Sequence, residues 1–229
     1  MNTKASYANY TNTYLDTRGV IAPGLGPAFS EAIIRGIAPG GGLFVPQILP
    51  HFTLGELAAL TSAPYTELAA TVFKRFGVDV PAKKIDMLMQ ESYQTSFDDK
   101  VVAPLRTLAP NTHVLELWHG PTSAFKDLAL QCFPVFFSAA IDQLRATGNS
   151  QVSDDYLILV ATSGDTGKAA MEGFADREHI GIIVFYPDGG VSDIQFKQMA
   201  HISRFAGKLK ANRGHICAGL RVSINQILF

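Results

Sequence analysis

Lys126 and the loop Thr162 to Gly167 hold the residue types in this sequence most suited to chemistry. Lys126 lies in HGPTSAFKD (His119 to Asp127), past a predicted strand end and the Gly120-Pro121 turn. The pattern predicts a long helix from about Ser123, with Lys126 about one turn inside it. Ligands of open α/β sheets gather at the carboxyl ends of strands. The positive end of a helix dipole disfavours an ammonium, and burial by Phe125 and Leu128 would do the same. Both effects favour a neutral amine able to condense with a carbonyl. The competing reading is an exposed lysine whose stem lies along the surface, and on these arguments alone it is the commoner case.

The second element is TSGDTG, Thr162 to Gly167. A strand that ends in a small glycine-bearing loop and opens a helix presents backbone N–H groups to an anion, carboxylate or phosphate. Asp165 and Thr166 could equally cap the helix, and both readings can hold together. The loop lacks the GxxxxGK[ST] spacing, and no G-x-G-x-x-G follows a strand. His119 reads first as a structural histidine and second as an acid or base. Asp127, adjacent to Lys126, points away from it on a helix and reads as local. No Ser/His/Asp set has hydrolase-like spacing.

Composition bounds the rest. The 229 residues are 47% hydrophobic and only 17% charged, with net charge −1 and a pI near 6.6. About a quarter charged is usual, so the chain buries much of itself. No basic excess exists to neutralise a nucleic-acid backbone. The cluster Lys208, Lys210, Arg213 reads as solvated surface. Cys132 and Cys217 lie far apart without metal-ligand spacing, which fits a reducing, cytoplasmic setting. The polar start MNTKASYANYTNT lacks a secretory signal's apolar segment. The apolar run Leu128 to Ile141 falls short of the about 20 residues a membrane span needs.

The elements that must carry these residues fall into two textures. Before about Ser96 the chain reads as helical. Ser30 is a predicted cap for FSEAIIRG, with Gly36 ending it. Thr53 to Glu56 forms a capping-box pattern. Leu68, Val72, Phe73 and Phe76 share one helical face that Gly77 terminates, and Pro81 opens a helix with Ile85, Leu88 and Met89 on one side. Beyond Ser96, HVLELW, YLILVAT and GIIVFY read as strands alternating with helices, a parallel sheet covered on both faces. Pro134 should kink or shorten the long helix.

HGPTSAFKDLAL, VATSGDTGKAA and VFYPDGGVSDIQFKQM, in this order, together with YLDTRG and FSEAIIRGIAPGGGLFVP near the start, resemble the threonine synthase family over about Tyr14 to Met199. The resemblance implies an α/β fold of the pyridoxal-phosphate (PLP) fold type II, tryptophan-synthase-β-like kind, incomplete here, with a helical N-terminal domain. It implies three parts: 1–95, the helical N-terminal domain; 96–199, a partial PLP-binding α/β domain; and 200–229, an atypical tail. Lys126 matches the lysine that carries PLP as a Schiff base. Ser163, Gly164, Asp165 and Thr166 match cofactor-facing positions, and Thr162, Ser163, Asp165 and Thr166 match substrate-facing ones. The implied reaction converts O-phospho-L-homoserine and water to L-threonine and phosphate in the cytoplasm, with no metal, nucleic-acid or membrane partner.

Three departures accompany the match. The family's Gly/Asn-rich phosphate loop and its hydroxyl partner for the pyridine nitrogen have no counterpart in this sequence. Past Met199 only Ser223-Ile224-Asn225 echoes the family, so a truncated or frame-shifted product, or a mis-predicted gene, is expected. Lys168 and Gly189 also differ from the pattern. The alternatives are a non-catalytic fragment and a related PLP-dependent lyase with another amino-acid substrate. An incomplete doubly wound sheet is expected to leave an open edge that favours aggregation.

Overall fold

The computed structural model describes residues 10–149, 152–162, 164–187 and 190–202, and the backbone of 206–211, 214–219 and 227–228. Ser163, Gly189, Arg213 and Ser223-Ile224-Asn225, singled out above, lie outside the described residues. The chain divides into two compact units. One holds the residues up to Glu91 with Ala139–Asn149, the other Ser92–Ser138 with the residues from Ser150 on.

In the first unit, β1 (Tyr14–Asp16) pairs antiparallel with β2 (Phe44–Pro46), and α1 (Phe29–Arg35) lies between them in sequence. Gly36, at φ 70°, ends α1 as expected. Ser30 does not cap it. The helix starts one residue earlier, with Ala28 at the cap position. The fully buried Ser30 instead donates from its N–H (2.8 Å) and Oγ (3.0 Å) to Asp79. A tertiary carboxylate has taken the hydroxyl that local reasoning assigned to the helix end.

α2 (Leu54–Leu60) opens with the predicted capping box. The Glu56 N–H donates to Thr53 Oγ1 (3.2 Å), and the Thr53 N–H donates back to the Glu56 carboxylate (2.8 Å). α3 (Tyr65–Arg75) is followed by Gly77 at φ 64°, and α4 (Ala82–Tyr93) buries Ile85, Leu88 and Met89, the side the spacing indicated.

In the second unit, β3 (Leu105–Ala109) and β4 (Thr112–Leu115) form a separate antiparallel hairpin. HVLELW was expected to join a parallel sheet. Its first three residues, within β4, pair instead with the preceding strand, because the turn at Pro110-Asn111 is short enough to fold the chain back.

The expected long helix from Ser123 is two helices, α5 (Asp127–Leu130) and α6 (Phe133–Ala146). Ser123 has φ 55°, which a helix cannot accommodate. Pro134 sits in the first turn of α6, where its missing N–H removes no helical bond.

β5 (Tyr156–Ala161), α7 (Asp165–Phe174) and β6 (Ile180–Tyr186) form the parallel strand–helix–strand unit that the apolar runs predicted, followed by α8 (Asp193–Ile202). The sheet is not wholly parallel. β7 (Ala206–Ala211) and β8 (Gly214–Gly219) form an antiparallel pair, β8 runs antiparallel to β6, and β9 (Ile227–Leu228) lies parallel to β5, giving the order β7-β8-β6-β5-β9. Both β5 and β6 therefore have strand neighbours on each side. The residues beyond 200, expected to be a tail without a closing element, supply three of these five strands.

The rings of Phe137 and Tyr156 meet edge-on at 5.3 Å, and those of Phe133 and Phe174 at 5.7 Å. Met171, Val184, Tyr186 and Met199 form the core behind α7. Among the described residues no helix is long and apolar enough to cross a membrane, and no His/Cys/Asp/Glu group could hold a metal.

Candidate cofactor and substrate site

The turn that presents Lys126 is built by its neighbour. Asp127 is fully buried and accepts hydrogen bonds from the Thr122 N–H (2.9 Å), Thr122 Oγ1 (2.7 Å) and the Ala124 N–H (3.3 Å). Its role is local, as residue spacing suggested, and the carboxylate shapes the 122–127 turn. Gly120 lets it in: a Cβ there would lie 2.4 Å from Asp127 Cβ.

Lys126 immediately precedes α5 rather than standing a turn inside a helix. With only four residues in α5, the helix-dipole argument loses its force. Lys126 is half-buried, while Phe125 is 58% exposed and does not bury it. The Lys126 amine instead lies 4.6 Å from the centre of the Phe125 ring, a cation–π contact.

At the end of β5, Thr162 closes the glycine loop on itself. Its Oγ1 accepts from the Gly164 N–H (3.1 Å) and the Gly167 N–H (3.3 Å). Gly164 has φ 148°, and a Cβ on it would lie 2.5 Å from the Gln195 amide. A Cβ on Gly167 would meet Thr162 Cγ2 at 2.5 Å and Val184 Cγ1 at 2.7 Å. Both glycines let the loop pack closely against side chains of β6, α8 and the loop itself.

Gly164 is the cap residue of α7 and makes no side-chain capping bond, so Asp165 and Thr166 open the first turn rather than cap it. The Asp165 carboxylate turns sideways. It accepts from Gln195 Nε2 at 2.9 Å and pairs with Lys168 Nζ at 3.1 Å. These two contacts, Gln195 first, hold its carboxyl below the ordinary carboxylate range. The positive charge of Lys126 contributes in the same direction, as the smallest of these causes.

Gln195 ties this loop to the next one. Its Oε1 accepts from the Ser192 N–H (3.1 Å) and its N–H donates to Ser192 Oγ (3.3 Å), a capping box at the start of α8. The motif pattern did not single out Gln195, although the Ser192-x-x-Gln195 spacing is the signal that points to it.

His119 sits between two carboxylates, with Nδ1 2.6 Å from Asp98 and Nε2 2.8 Å from Glu116. The Asp98 N–H also donates to the His119 carbonyl at 3.0 Å. Both ring nitrogens are occupied, which favours the structural reading over the acid/base one. The Glu116 contact, then the Asp98 contact, push its pKa up. A pKa raised above the ordinary value of about 6.5 gives stabilisation that is complete below that value and fades as pH rises through the raised one. The urea midpoint is therefore expected to fall more across that window in the wild-type chain than in His119→Gln. Identical profiles would show that the clamp contributes nothing.

Comparison with known proteins follows this geometry. Residues 13–93 match the family described as Threonine synthase N terminus. The chain is 40% identical over 187 residues to threonine synthase-like 1 of Homo sapiens, an alignment covering 78% of this chain and 24% of that protein. It is 42% identical over 193 residues to threonine synthase of Pseudomonas aeruginosa, covering 82% and 38%. Among solved structures, PLP-bound threonine synthase from Brucella melitensis superposes with TM-score 0.71 at 38% identity, covering 82% of this chain and 38% of that one. The yeast threonine synthase structure gives 0.73 at 33%, covering 83% and 38%. The chain thus spans about a quarter to two-fifths of these relatives' lengths. Its fold is that of the N-terminal region of these fold type II enzymes.

Proposed function

We propose, on the premise that this chain is related to the N-terminal part of threonine synthases, that it supplies the cofactor-holding side of a PLP-dependent lyase site. The reaction converts O-phospho-L-homoserine and water to L-threonine and phosphate. The observation that carries the reading is the half-buried Lys126 amine, presented by the 122–127 turn that the buried Asp127 carboxylate builds.

Lys126 is the residue that would hold PLP covalently, with Ser163, Gly164, Asp165 and Thr166 lining the cofactor. When bound, PLP supplies an electron sink for charge developing at the substrate carbons near the amino group. The fit rests on the primary amine of Lys126 and on the loop at the head of α7, whose first-turn N–H groups can face an anion. The Lys126 amine is the base at hand for protons leaving those carbons. The N–H groups in the first turn of α7, at Asp165 and Thr166, orient the substrate carboxylate together with Thr162 and Ser163. A reducing, cytoplasmic setting suits a chain whose Cys132 is a buried free thiol.

The test gives the chain PLP and O-phospho-L-homoserine, follows threonine and inorganic phosphate, and maps borohydride-fixed PLP by mass spectrometry. Threonine and phosphate in equal amounts are expected. PLP fixed on Lys126 without turnover selects a second reading, that this stretch binds cofactor but is not itself catalytic. That reading draws on the 38% of the Pseudomonas enzyme that the chain spans. Fixation scattered over surface lysines, with none favouring Lys126, overturns both. Turnover of a different phosphorylated or β-substituted amino acid would assign a related lyase.

A further inference from the structure

Gln195 makes more bonds than its own helix requires. Within α8 it completes a capping box, its Oε1 accepting from the Ser192 N–H and Oγ, both at 3.1 Å. A capping box uses that acceptor and the Gln195 N–H. The amide Nε2 is left over, and it leaves α8 to donate to Asp165 Oδ1 at 2.9 Å. Lys168 Nζ, on a side chain 6% exposed, reaches the same oxygen at 3.1 Å. One carboxylate oxygen is therefore held from two helices, by Lys168 of α7 and Gln195 of α8. The Gln195 amide also lies over Gly164, where a Cβ would come within 2.5 Å of it. It thus meets the glycine loop at two successive residues.

A carboxylate in the first turn of a helix, left to itself, is drawn to the N–H groups of that turn. In α7 those are the donors assigned to the substrate carboxylate, so Asp165 swung onto them would occupy the place with its own negative charge. We propose that Gln195 is a positioning residue of this site, holding Asp165 sideways and the loop at Gly164 in place so that the first-turn donors are left for the ligand. The inference rests on the reading of residues 162–167 as facing cofactor and substrate.

α8 also reaches the other half of that site. Gln198, one turn after Gln195, places its Nε2 3.5 Å from the Thr122 carbonyl, in the turn that presents Lys126. Its Oε1 is buried with no hydrogen-bond partner, an acceptor that a ligand donor would satisfy. The two glutamines lie on one side of the helix, and Gln195 is the one through which α8 grips the loop.

The test compares Gln195→Met, which removes the amide, with Ser192→Ala, which weakens the α8 cap and leaves the bond to Asp165. One readout is the amide hydrogen-exchange rate of the cofactor-free chain in peptides covering 162–168, by mass spectrometry. The other is the PLP concentration that half-saturates the borohydride-fixed adduct on Lys126. Both are expected to rise about tenfold in Gln195→Met, the loss for one hydrogen bond to a charged group, and to stay within about twofold of wild type in Ser192→Ala. A capping role alone would make the two variants behave alike, and that result overturns the proposal. Faster exchange with unchanged PLP half-saturation in Gln195→Met overturns it as well. If Gln195→Met does not fold, Gln195→Asn, which keeps the amide but withdraws it by one carbon, decides on the same readouts. No Lys126 adduct in the wild-type chain defeats the cofactor reading instead. The exchange comparison then decides alone: faster exchange in Gln195→Met only supports the hold on the loop, and equal exchange in both variants overturns it.

Discussion

Replacing Lys126 with alanine is expected to reduce both the visible absorbance of added PLP and the borohydride-fixed adduct to background, with little change in stability. The chemistry needs a primary amine able to lose its proton, and alanine has none. Lys126→Arg is expected to fail as well, because a guanidinium keeps its charge and does not act as the nucleophile. The stability forecast follows from the turn's construction. Asp127, Thr122 and Ala124 hold the 122–127 segment through bonds that omit the Lys126 side chain. A half-buried side chain outside those bonds should cost within about 0.5 kcal/mol. Urea melts measure that cost, and absorbance with peptide mapping measures the adduct. A Lys84→Ala control should keep the adduct, since Lys84 lies exposed on α4. An adduct of undiminished yield in Lys126→Ala would mean that another amine carries the cofactor.

Gly173→Ala is expected to give the largest loss of stability. Gly173 is buried in α7, and a Cβ there would lie 1.9 Å from the Leu130 carbonyl oxygen and 3.1 Å from Pro134 Cγ. No rotamer relieves a clash with backbone, so α7 must move away from the 130–134 segment. That movement would disturb the edge-on contacts of Phe174 with Phe133 and Phe137. Overpacking costs typically about 1–3 kcal/mol. A backbone clash belongs at the top of that range, and at this chain length it corresponds to roughly 6–12 °C in Tm. Thermal melts monitored by circular dichroism test it. A loss below about 0.5 kcal/mol would show that α7 and the 130–134 segment are not packed this closely.

Between them, these variants separate what the loop motifs do chemically from what holds them in place. The two outcomes should not mix. Gly173→Ala removes stability without touching a reactive group, and Lys126→Ala removes a reactive group without touching the packing.

Local features were legible in the linear order of residues because each is decided within a few positions. The capping box at Thr53 and Glu56, the helix ends at Gly36 and Gly77, the buried side of α4, and the β5–α7–β6 unit all follow from short-range periodicity and cap chemistry. The roles given to Lys126 and the Thr162–Gly167 loop came instead from the family resemblance, since residue reasoning alone made an exposed lysine the commoner case.

What only the tertiary structure decided is where long-range partners compete for the same groups. Asp79 drew Ser30 away from a cap, and Gln195 with Lys168 drew Asp165 sideways from the helix end. β8 met β6 antiparallel, and the start of the run HVLELW folded back on the preceding strand instead of entering the sheet. Each is a choice between bonding partners far apart in sequence. A side chain's type shows what it can bond, whereas the folded backbone determines which candidate arrives first within reach.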